Sequence, residues 1–378
     1  MMNNNKVCII GVGYVGEHLV SAFSKEYQVF GFDISKPRVA EMKEHFVNNS
    51  NVTITFDESH LENAALYCIS VPTLLQHDNT INDSYLKSAV STVSKYAVPG
   101  SCVVMESSVS VGMTRQLVSF LRERGVFVGF SPERVDPGRI SPTVDEIPKI
   151  ISGMDDASLM SIDKYYSSVF KTVVKVSSME TAEMCKLYEN CFRMINIAYI
   201  NEIADACKAH DINHEEMISA CSTKPFGFMP FNSGLGVGGY CIPINPFYLF
   251  VNNNLPLLEH ATKTTMQRPQ EKARSFCKEN ANIKNIAVVG IAFKPGQKIT
   301  ANSPAYAFVK SLEEQGKNIT VYDPLVENSD VKFLNGKDWN DDFLNNHFDA
   351  VIIAMKQHNV DYGVLQNYKG KIVYAEYL

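Results

Sequence analysis

The chain has 378 residues, of which 45% are hydrophobic and 20% charged, and its formal net charge at pH 7 is -6. A chain of this length can form more than one hydrophobic core, so two or three domains are expected. The negative charge excludes the basic footprint of a nucleic-acid-binding protein, and the longest apolar runs, such as residues 348–355, have the length of strands rather than of membrane spans. The polar N-terminus leads directly into a strand-like segment and lacks the apolar core of a signal peptide. These features predict a cytoplasmic protein without nucleic-acid or membrane partners.

The first half of the chain alternates strand-like and helical segments. KVCIIGVGYVGEHLVSAF begins as a β-branched strand, turns at three glycines and continues with helical spacing of its apolar residues. The apolar runs QVFGFD, ALYCISVP, SCVVMESSV and VFVGFSPE follow, and each stops at polar residues. This alternation predicts a parallel sheet with helices on both faces.

The sequence GVGYVG at 11–16 matches the pattern GxGxxG between a strand and a helix, and Asp33 follows 20 residues after Gly13. In this setting backbone amides approach a pyrophosphate at the helix N-terminus, and the acid accepts hydrogen bonds from a ribose. A carboxylate at this place repels a 2′-phosphate, which favours NAD over NADP. The alternative is a tight turn in an unliganded α/β domain.

A segment without glycine or proline runs from Met179 to His210 and predicts a helix of about 30 residues. Polar residues share one sector of this helix and apolar residues lie largely outside it; the polar ones are Glu183, Lys186, Asn190, Arg193 and Asn201. The polar sector is either a solvated face or part of a site. A helix of this length needs a partner for its apolar faces, so we expect a homodimer.

Residues 284–378 form a second alternating series. Its first turn, GIAFKPG, lacks the glycine triplet, although Asp323 occupies a place similar to that of Asp33. The predicted fold class is therefore α/β, with two Rossmann-like doubly wound domains joined by a long central helix.

The nine cysteines form no CxxC pair and are odd in number, which argues against a disulfide framework and a metal site. Cys241 has unusual neighbours, because it follows four closely spaced glycines in SGLGVGGYCIP at 233–243. Glycines mark places at which the backbone turns tightly or a ligand approaches. Cys241 is thus either a spare loop thiol or a functional residue.

A thiol beside a bound NAD suggests a covalent oxidation. A thiolate adds to an aldehyde and leaves a carbon that still carries hydrogen, so a second hydride can depart and leave a thioester for water to cleave. Such a site needs a cation or an amide for the oxyanion, together with a base or a group that positions water. Lys186 and Asn190, four residues apart, can supply the first, and Glu133 in FSPERVDPG can supply the second.

The chain resembles the UDP-glucose/GDP-mannose dehydrogenase family, which oxidises the C6 alcohol of a nucleotide sugar to a carboxylate with two NAD. The resemblance covers nearly the whole chain and is carried by GVGYVG, VPT (71–73), ESSV (106–109), SPERVDPG (131–138), EMCKLYEN (183–190), GVGGYCIP (236–243) and AFKPG (292–296). FRMINIAYINE (192–202), STKPFGFMPF (222–231) and the aliphatic Ile244 after CIP are most similar to the UDP-N-acetylhexosamine branch, whose members act on UDP-GlcNAc or UDP-ManNAc.

The resemblance implies three regions. These are an NAD-binding Rossmann domain at 1–178, a central helical region for dimerisation with the substrate and nucleophile loop at 179–275, and a UDP-sugar-binding Rossmann-like domain at 276–378.

The resemblance also implies roles for individual residues, and no metal is expected. Cys241 would be the nucleophile, Lys186 and Asn190 would stabilise the oxyanion, and Glu133 would assist the thioester step, with Asn245 at the remaining catalytic position. Cofactor contacts are expected at Gly11, Gly13, Tyr14, Val15, Gly16, Asp33, Arg38, Val71, Pro72, Thr73, Ser107 and Ser108. UDP-sugar contacts are expected at Phe130, Ser131, Arg134, Arg193, Phe231, Asn232, Gly234, Gly238, Phe293 and Lys294.

The chain departs from the family pattern at several places. Asn245 stands where the family has an aspartate, and an amide holds a water but cannot take its proton. Ala301 replaces an arginine expected near the cofactor, and Tyr240 replaces the histidine of the acetylhexosamine branch. A segment that covers the site in family members is missing between Asp33 and Asn51.

Three functions are consistent with these residues. The first is a dehydrogenase acting on a UDP-N-acetylhexosamine, with UDP-glucose as the nearest alternative substrate. The second is a two-electron hydroxyacid dehydrogenase, which gives Cys241 and the C-terminal region no role. The third is a nucleotide-sugar-binding homologue with impaired turnover, suggested by Asn245 and Ala301.

Overall fold

The fold is that of a computed structural model, which describes residues 2–76, 78–136, 141–327 and 330–378. The chain forms two compact units. The N-terminal unit contains Met1–Glu189 and Phe247–Asn254, and the C-terminal unit contains Asn190–Pro246 and Leu255–Leu378. The division into three regions at residues 178 and 275 stays a prediction.

The N-terminal unit is built on one sheet. Its strands are β1 (Asn3–Ile10), β2 (Gln28–Phe32), β3 (Val52–Thr55), β4 (Ala64–Ile69), β5 (Leu74–Leu75), β6 (Ile81–Asn82), β7 (Cys102–Met105), β8 (Phe127–Phe130), β9 (Lys149–Gly153) and β10 (Val173–Lys175). Eight of them lie in the order β10-β9-β8-β7-β4-β1-β2-β3, whereas β5 and β6 form a separate antiparallel pair. All neighbours in the large sheet are parallel except β8 and β9.

Helices cover both faces of this sheet. They are α1 (Tyr14–Phe23), α2 (Lys36–His45), α3 (Ser84–Tyr96), α4 (Met113–Glu123) and α5 (Asp156–Tyr166). Successive side chains of β1 enter two different hydrophobic cores: Val7 and Ile9 belong to one, and Cys8 and Ile10 to the other. Because strand side chains alternate between faces, a strand that is apolar throughout its buried half must be covered on both sides.

Helix α6 (Met179–Ala209) ends one residue before the predicted limit. Its polar sector is not a solvated face, because Glu183, Asn190 and Asn201 are at most 3% exposed. Instead, apolar side chains of this helix face solvent: Met184, Tyr188 and Tyr199 are exposed. The helix therefore buries three polar side chains whose oxygens or amide groups are hydrogen-bonded, while three of its large apolar side chains are exposed.

The C-terminal unit contains the remaining elements. They are α7 (His214–Ser222), α8 (Asn245–Phe250, which crosses the boundary between the units), α9 (Pro256–Glu279), β11 (Asn285–Val289), α10 (Pro304–Glu314), β12 (Asn318–Tyr322), α11 (Asp341–His347), β13 (Ala350–Ile353) and β14 (Lys371–Tyr374). Single 3-10 turns lie at Glu58–Leu61, Val144–Glu146, Gly336–Asp338, Tyr362–Asn367 and Ala375–Tyr377. The sheet order is β12-β11-β13-β14, and all of its pairs are parallel. The predicted α/β class with two Rossmann-like sheets and a long helix between them in the chain is confirmed.

In both sheets an aspartate directly after the second strand in chain order, β2 or β12, accepts hydrogen bonds from backbone N–H groups that follow the first strand, β1 or β11. Asp33 Oδ2 accepts a hydrogen bond from Val12 N at 2.9 Å, and Asp323 Oδ2 accepts from Ile291 N and Ala292 N at 2.9 and 3.2 Å. The second aspartate is 4% exposed and also accepts from the buried side chain of Gln357. Asp323 is therefore committed to the turn of its own sheet.

The described residues can be compared with the expectations about membrane spans and disulfides. None of their helices combines the length and the apolar character needed to span a membrane. All nine cysteines lie within these ranges, and none of them is in a disulfide.

Glu183 gives a stability prediction, because its carboxylate accepts from Gly112 N at 2.6 Å and from Thr114 N at 3.0 Å at the start of α4. In Glu183→Gln the amide nitrogen faces an N–H donor, so one buried donor loses its partner and the free energy of unfolding falls by about 1–3 kcal/mol. Glu180→Gln, one turn earlier on the same helix, breaks only the half-exposed pair with Arg115 and is expected to cost less than about 1 kcal/mol. Urea unfolding of both variants measures the difference, and equal losses would contradict the assignment.

Candidate active site

The glycine-rich turn after β1 leaves open space at the N-terminus of α1. Gly13 precedes the first residue of the helix, and a Cβ added there would meet no atom within 4 Å. A Cβ at Gly16 would instead lie 1.9 Å from Gly11 O. Gly16 thus allows the helix to pack on the strand, whereas Gly13 leaves room for a group that approaches the helix N-terminus. That position suits the pyrophosphate of a dinucleotide.

Asp33 and Arg38 hold this turn in place. Asp33 binds Val12 N through one oxygen and Ser35 N, at 2.8 Å, through the other. Arg38 donates to Val12 O at 2.7 Å and to Glu17 Oε2 at 2.7 Å. Both predicted cofactor side chains therefore shape the backbone next to the open helix N-terminus.

The other predicted cofactor residues lie in α1 and after the neighbouring strands β4 and β7. Tyr14 is exposed and packs edge-on against His18, whereas Val15 is half-buried. Residues 71–73 follow β4, and Ser107 and Ser108 follow β7; Thr73 Oγ1 donates to Ser108 O at 2.8 Å and Ser107 Oγ to Val71 O at 2.7 Å. Because β1, β4 and β7 are parallel neighbours, the structure brings these residues to the same sheet edge as the glycine-rich turn.

Glu133 lies at the centre of a hydrogen-bond network in the same unit. Its Oε1 accepts from Arg134 N at 2.7 Å and from Val135 N at 2.8 Å, and its Oε2 accepts from Lys149 Nζ at 3.2 Å. Lys186 Nζ donates to the Glu133 carbonyl oxygen, so two predicted catalytic residues meet here. Burial alone would raise the pKa of Glu133, but the ammonium of Lys149 and the backbone donors outweigh it and keep this pKa below its usual value.

Lys149 and Glu106 are residues that sequence reasoning missed as members of this network. Lys149 Nζ donates to Glu106 Oε2 at 2.6 Å, and Tyr166 OH donates to Glu106 Oε1 at 2.5 Å. Burial is the main cause that raises the pKa of Glu106 to about 7. The signals in the sequence were Glu106, which opens the ESSV motif directly after an apolar strand, and a lysine at the start of another strand.

The predicted substrate residues near Glu133 have different environments. Phe130 packs in the hydrophobic core with 1% of its surface exposed. Ser131 is fully buried, and its hydroxyl has no hydrogen-bond partner among the described residues. Arg134 is paired with Glu189 at 2.7 Å and with Pro148 O at 2.9 Å. None of these contacts tests the predicted substrate role, which stays a prediction.

In the C-terminal unit, the two glycines nearest Cys241, Gly238 and Gly239, are packed against Phe293, whereas a Cβ at Gly234 would meet no atom within 4 Å. A Cβ at Gly238 would lie 2.8 Å from Phe293 Cβ, and one at Gly239, whose φ is +79°, would lie 2.9 Å from the Phe293 ring. Gly239 N donates to Ala301 O at 3.0 Å. The glycines therefore let this loop lie on the segment that begins with AFKPG. Ala301, which stands where the family has an arginine, contacts the loop through its carbonyl oxygen.

Cys241 is half-buried and precedes helix α8, and its carbonyl oxygen accepts from Asn245 N at 3.0 Å. Asn190 Nδ2 donates to Asn245 Oδ1 at 2.6 Å, and Arg193 donates to Asn190 Oδ1. Asn190 and Asn245 are at most 1% exposed. Within this unit the structure thus joins three predicted residues in a chain of hydrogen bonds one turn after the cysteine.

The loop before Cys241 is anchored by residues that sequence reasoning did not select. Gly234 N donates to Asn201 Oδ1 at 2.9 Å, and Gly234 O accepts from Arg268 Nε at 2.7 Å. Arg268 is itself held by two bonds to Asp205, at 2.7 and 2.9 Å. The loop is therefore fixed between helices α6 and α9.

A cavity of about 470 Å³ lies at the carboxyl ends of β11, β13 and β14. Of the predicted substrate residues, Asn232, Gly234 and Phe293 line it, and Phe231 packs against Phe192 with ring centroids 5.8 Å apart. Gly238 and Lys294 are half-buried and do not line it. Sequence reasoning missed further lining residues: His214, Pro295, Met355, Lys356 and Glu376. Among the described residues, no group of three or more His, Cys, Asp or Glu side chains is placed to hold a metal ion.

Three family models match successive parts of the chain. They describe the UDP-glucose/GDP-mannose dehydrogenase family: its NAD binding domain matches residues 5–174, its central domain residues 180–264 and its UDP binding domain residues 287–376.

Individual relatives agree with these matches. Protein CapL of Staphylococcus aureus is 30% identical over 93% of this chain and 90% of its own length. UDP-N-acetyl-D-mannosamine dehydrogenase of Pyrococcus horikoshii is 31% identical over 85% of this chain and 84% of its own. The solved structure of the UDP-D-ManNAc dehydrogenase from Pyrococcus horikoshii superposes with a TM-score of 0.86 at 27% identity, covering 98% of this chain and 95% of that one. The chain therefore belongs to the UDP-glucose/GDP-mannose dehydrogenase family and is an NAD-dependent oxidoreductase of nucleotide sugars.

Proposed function

We propose that the chain oxidises the C6 hydroxyl of a UDP-N-acetylhexosamine to the carboxylate, with Cys241 as covalent nucleophile. The observation that carries this proposal is the half-buried Cys241 one turn before Asn245, whose side chain is held by Asn190. The names of the Pyrococcus horikoshii relative and solved structure support an N-acetylhexosamine as the sugar. UDP-glucose is the nearest alternative substrate.

The chemistry balances as two oxidations and one hydrolysis. The C6 alcohol loses a hydride and a proton and becomes an aldehyde, and Cys241 Sγ then adds to the aldehyde carbon while the thiol proton passes to the sugar oxygen. Loss of a second hydride and of the hydroxyl proton gives a thioester, and attack by water breaks the C–S bond and restores the thiol. When bound, NAD accepts the hydride in each of the two oxidations.

The residues contribute charge and orientation to these steps. The Lys186 ammonium and the Asn190 amide stabilise the oxyanion that forms when sulfur or water adds to the carbon. Glu133 orients the attacking water, and its carboxylate accepts a proton from it. Asn245 holds a water without the ability to deprotonate it. The further substrate contacts are Phe130, Ser131, Arg134, Arg193, Phe231, Asn232, Gly234, Gly238, Phe293 and Lys294.

The open space at Gly13 fits the pyrophosphate of NAD, and the carboxylate of Asp33 suits the ribose hydroxyls. The remaining cofactor contacts are Gly11, Tyr14, Val15, Gly16, Arg38, Val71, Pro72, Thr73, Ser107 and Ser108. We also infer a homodimer through α6, because Val111, Thr181, Met184, Cys185 and Tyr188 line a largely apolar groove on its N-terminal part.

A second candidate function is a nucleotide-sugar-binding protein with impaired turnover. Asn245 favours it, because the amide cannot act as a base during thioester hydrolysis. The presence of a thiol, an ammonium and a carboxylate at Cys241, Lys186 and Glu133 favours the enzyme instead, because covalent catalysis requires these groups.

The stoichiometry of NADH formation distinguishes these functions. With UDP-GlcNAc or UDP-ManNAc we expect two NADH per sugar and a uronic acid, whereas binding without NADH would favour the second candidate. Cys241→Ser should form no uronic acid and at most one NADH per sugar. Cys221→Ser changes an exposed cysteine of the same unit and should behave as the wild type. Uronic acid formation by Cys241→Ser at the wild-type rate would overturn the role of the thiol.

The Asn245→Asp variant tests whether this amide limits hydrolysis. An aspartate still accepts the hydrogen bond from Asn190 and adds a base, so we expect thioester hydrolysis to rise about tenfold or more. Rapid quenching and mass spectrometry of the acyl-enzyme measure this rate. An unchanged rate together with an unchanged amount of trapped acyl-enzyme would show that the amide is not limiting.

Two alanine substitutions separate cofactor binding from folding. Gly13→Ala introduces a methyl group into open space where the pyrophosphate would lie, so we expect unchanged thermal stability and an NAD dissociation constant at least ~10-fold higher. Gly16→Ala places a methyl group against Gly11 O and should lower thermal stability itself. Calorimetric titration with NAD and thermal unfolding measure both, and tight NAD binding by Gly13→Ala would argue against this cradle.

A further inference from the structure

The proposed chemistry uses Glu133 but not the charged cluster behind it. In this cluster Lys149 Nζ has three acceptors: Glu106 Oε2 at 2.6 Å, Glu133 Oε2 at 3.2 Å and Pro132 O at 3.2 Å. Lys149, Glu106 and Glu133 are 3%, 2% and 8% exposed. All three ammonium hydrogens are therefore committed, and two of them go to carboxylates.

A cluster of this kind is not explained by stability alone. Removing charges from water is unfavourable, and well-packed apolar residues often stabilise a core at least as well. Here one ammonium neutralises two buried carboxylates, so the fully ionised cluster keeps a net charge of -1. These buried charges include Glu133, the residue that orients the attacking water in the proposed function.

Groups from β9, α5, β4 and α6 surround the cluster, and the ring of Phe170 lies 5.6 Å from Lys149 Nζ. Lys149 begins β9, and Tyr166 of α5 donates to Glu106 Oε1 at 2.5 Å. Cys68 of β4 contacts the Tyr166 hydroxyl at 3.6 Å. On the other side, Lys186 of α6 donates to the Glu133 carbonyl oxygen. Tyr166 thus holds Glu106, and the Lys149 ammonium bridges Glu106 and Glu133.

We propose that Lys149 is a positioning residue: held by Glu106, which Tyr166 binds in turn, it keeps Glu133 ionised and fixes Oε2 in the orientation that thioester hydrolysis requires. This inference rests on the proposed function, in which Glu133 acts on water. The pKa values agree with it, because that of Glu133 lies below its usual value and that of Glu106 is raised to about 7 by burial. Since the carboxylates share one ammonium, the cluster binds its protons in two steps, the first near neutral pH at Glu106 and the second at acid pH at Glu133.

The test removes the ammonium and then the competing carboxylate. In Lys149→Met the charge that lowers the pKa of Glu133 is lost, so this pKa rises, and the acid limb of the kcat–pH profile moves up by about one pH unit or more. Glu106→Gln keeps an acceptor for Lys149, so the acid limb of the kcat–pH profile stays in place. The titration of the Glu106 carboxyl near neutral pH disappears. Lys171→Met makes the same substitution in the exposed pair with Glu146 and should move neither.

A second measurement does not depend on turnover. The carboxyl carbon resonances of protein labelled with ¹³C-glutamate, assigned with Glu133→Gln, report the pKa of Glu133 directly in each variant. Should Lys149→Met fail to fold, the double variant Glu106→Gln/Lys149→Gln keeps the net cluster charge of -1 and still lacks the ammonium.

The outcomes separate the two proposals. A raised pKa of Glu133 with a matching shift of the acid limb supports the positioning role. A raised pKa in a protein that forms no NADH with any UDP-sugar overturns the proposed function but leaves the electrostatic hold on Glu133 in place. An active enzyme in which removal of the Lys149 charge leaves both the pKa of Glu133 and the acid limb unmoved overturns the inference.

Discussion

Parallel strands end at the same edge of a sheet, and the chemistry assigned to this chain depends on that constraint. In the N-terminal unit β1, β4 and β7 are parallel neighbours, so Gly13, Thr73 and Ser108 reach one edge although they are far apart in sequence. In the C-terminal unit the same constraint brings the ends of β11, β13 and β14 around one cavity. In each unit these residues therefore lie at the carboxyl ends of the parallel strands of its own sheet.

The two units use this shared topology differently because of a few side chains at the first turn. In the N-terminal unit Gly13 leaves space before α1, and Asp33 is only half-buried. In the C-terminal unit Asp323 is 4% exposed and is bound by Gln357 and by two backbone amides. A carboxylate that is already saturated by buried donors has little capacity for a ribose. The C-terminal sheet is thus suited to a different ligand, in agreement with the UDP binding domain that matches it.

A buried lysine ammonium shared by two buried carboxylates distinguishes the neighbourhood of Glu133 from the rest of the described core. Lys149 carries its charge between two carboxylates, and a desolvated ion of this kind is tolerated only when each donor and acceptor is paired. Glu106 and Tyr166 provide this pairing, while Glu133 keeps contacts to two backbone amides. The contacts around Glu133 thus involve Lys149 and Tyr166, which lie outside the quoted motifs, together with Glu106, the first residue of ESSV.

The sequence by itself determined the family-level features of this protein. Three of these features depend on local backbone or ligand chemistry, which residue spacing reveals. They are the GxGxxG turn with Asp33, the uninterrupted helix after Met179 and the ordered motifs up to AFKPG. The cysteine loop was also visible, although its glycines could be read as room for a ligand. The structure shows that Gly238 and Gly239 instead accommodate Phe293.

Only the tertiary structure decided which polar residues meet. Periodicity placed Glu183, Asn190 and Asn201 in one polar sector, but it could not tell a solvated face from buried groups with partners, because the partners Thr114, Asn245 and Gly234 come from distant segments. The cluster of Glu106, Lys149 and Tyr166 was invisible for the same reason. Glu106 opens the ESSV motif, but Lys149 and Tyr166 look like ordinary strand and helix residues, and the contacts that join the three span 43 and 60 residues of sequence.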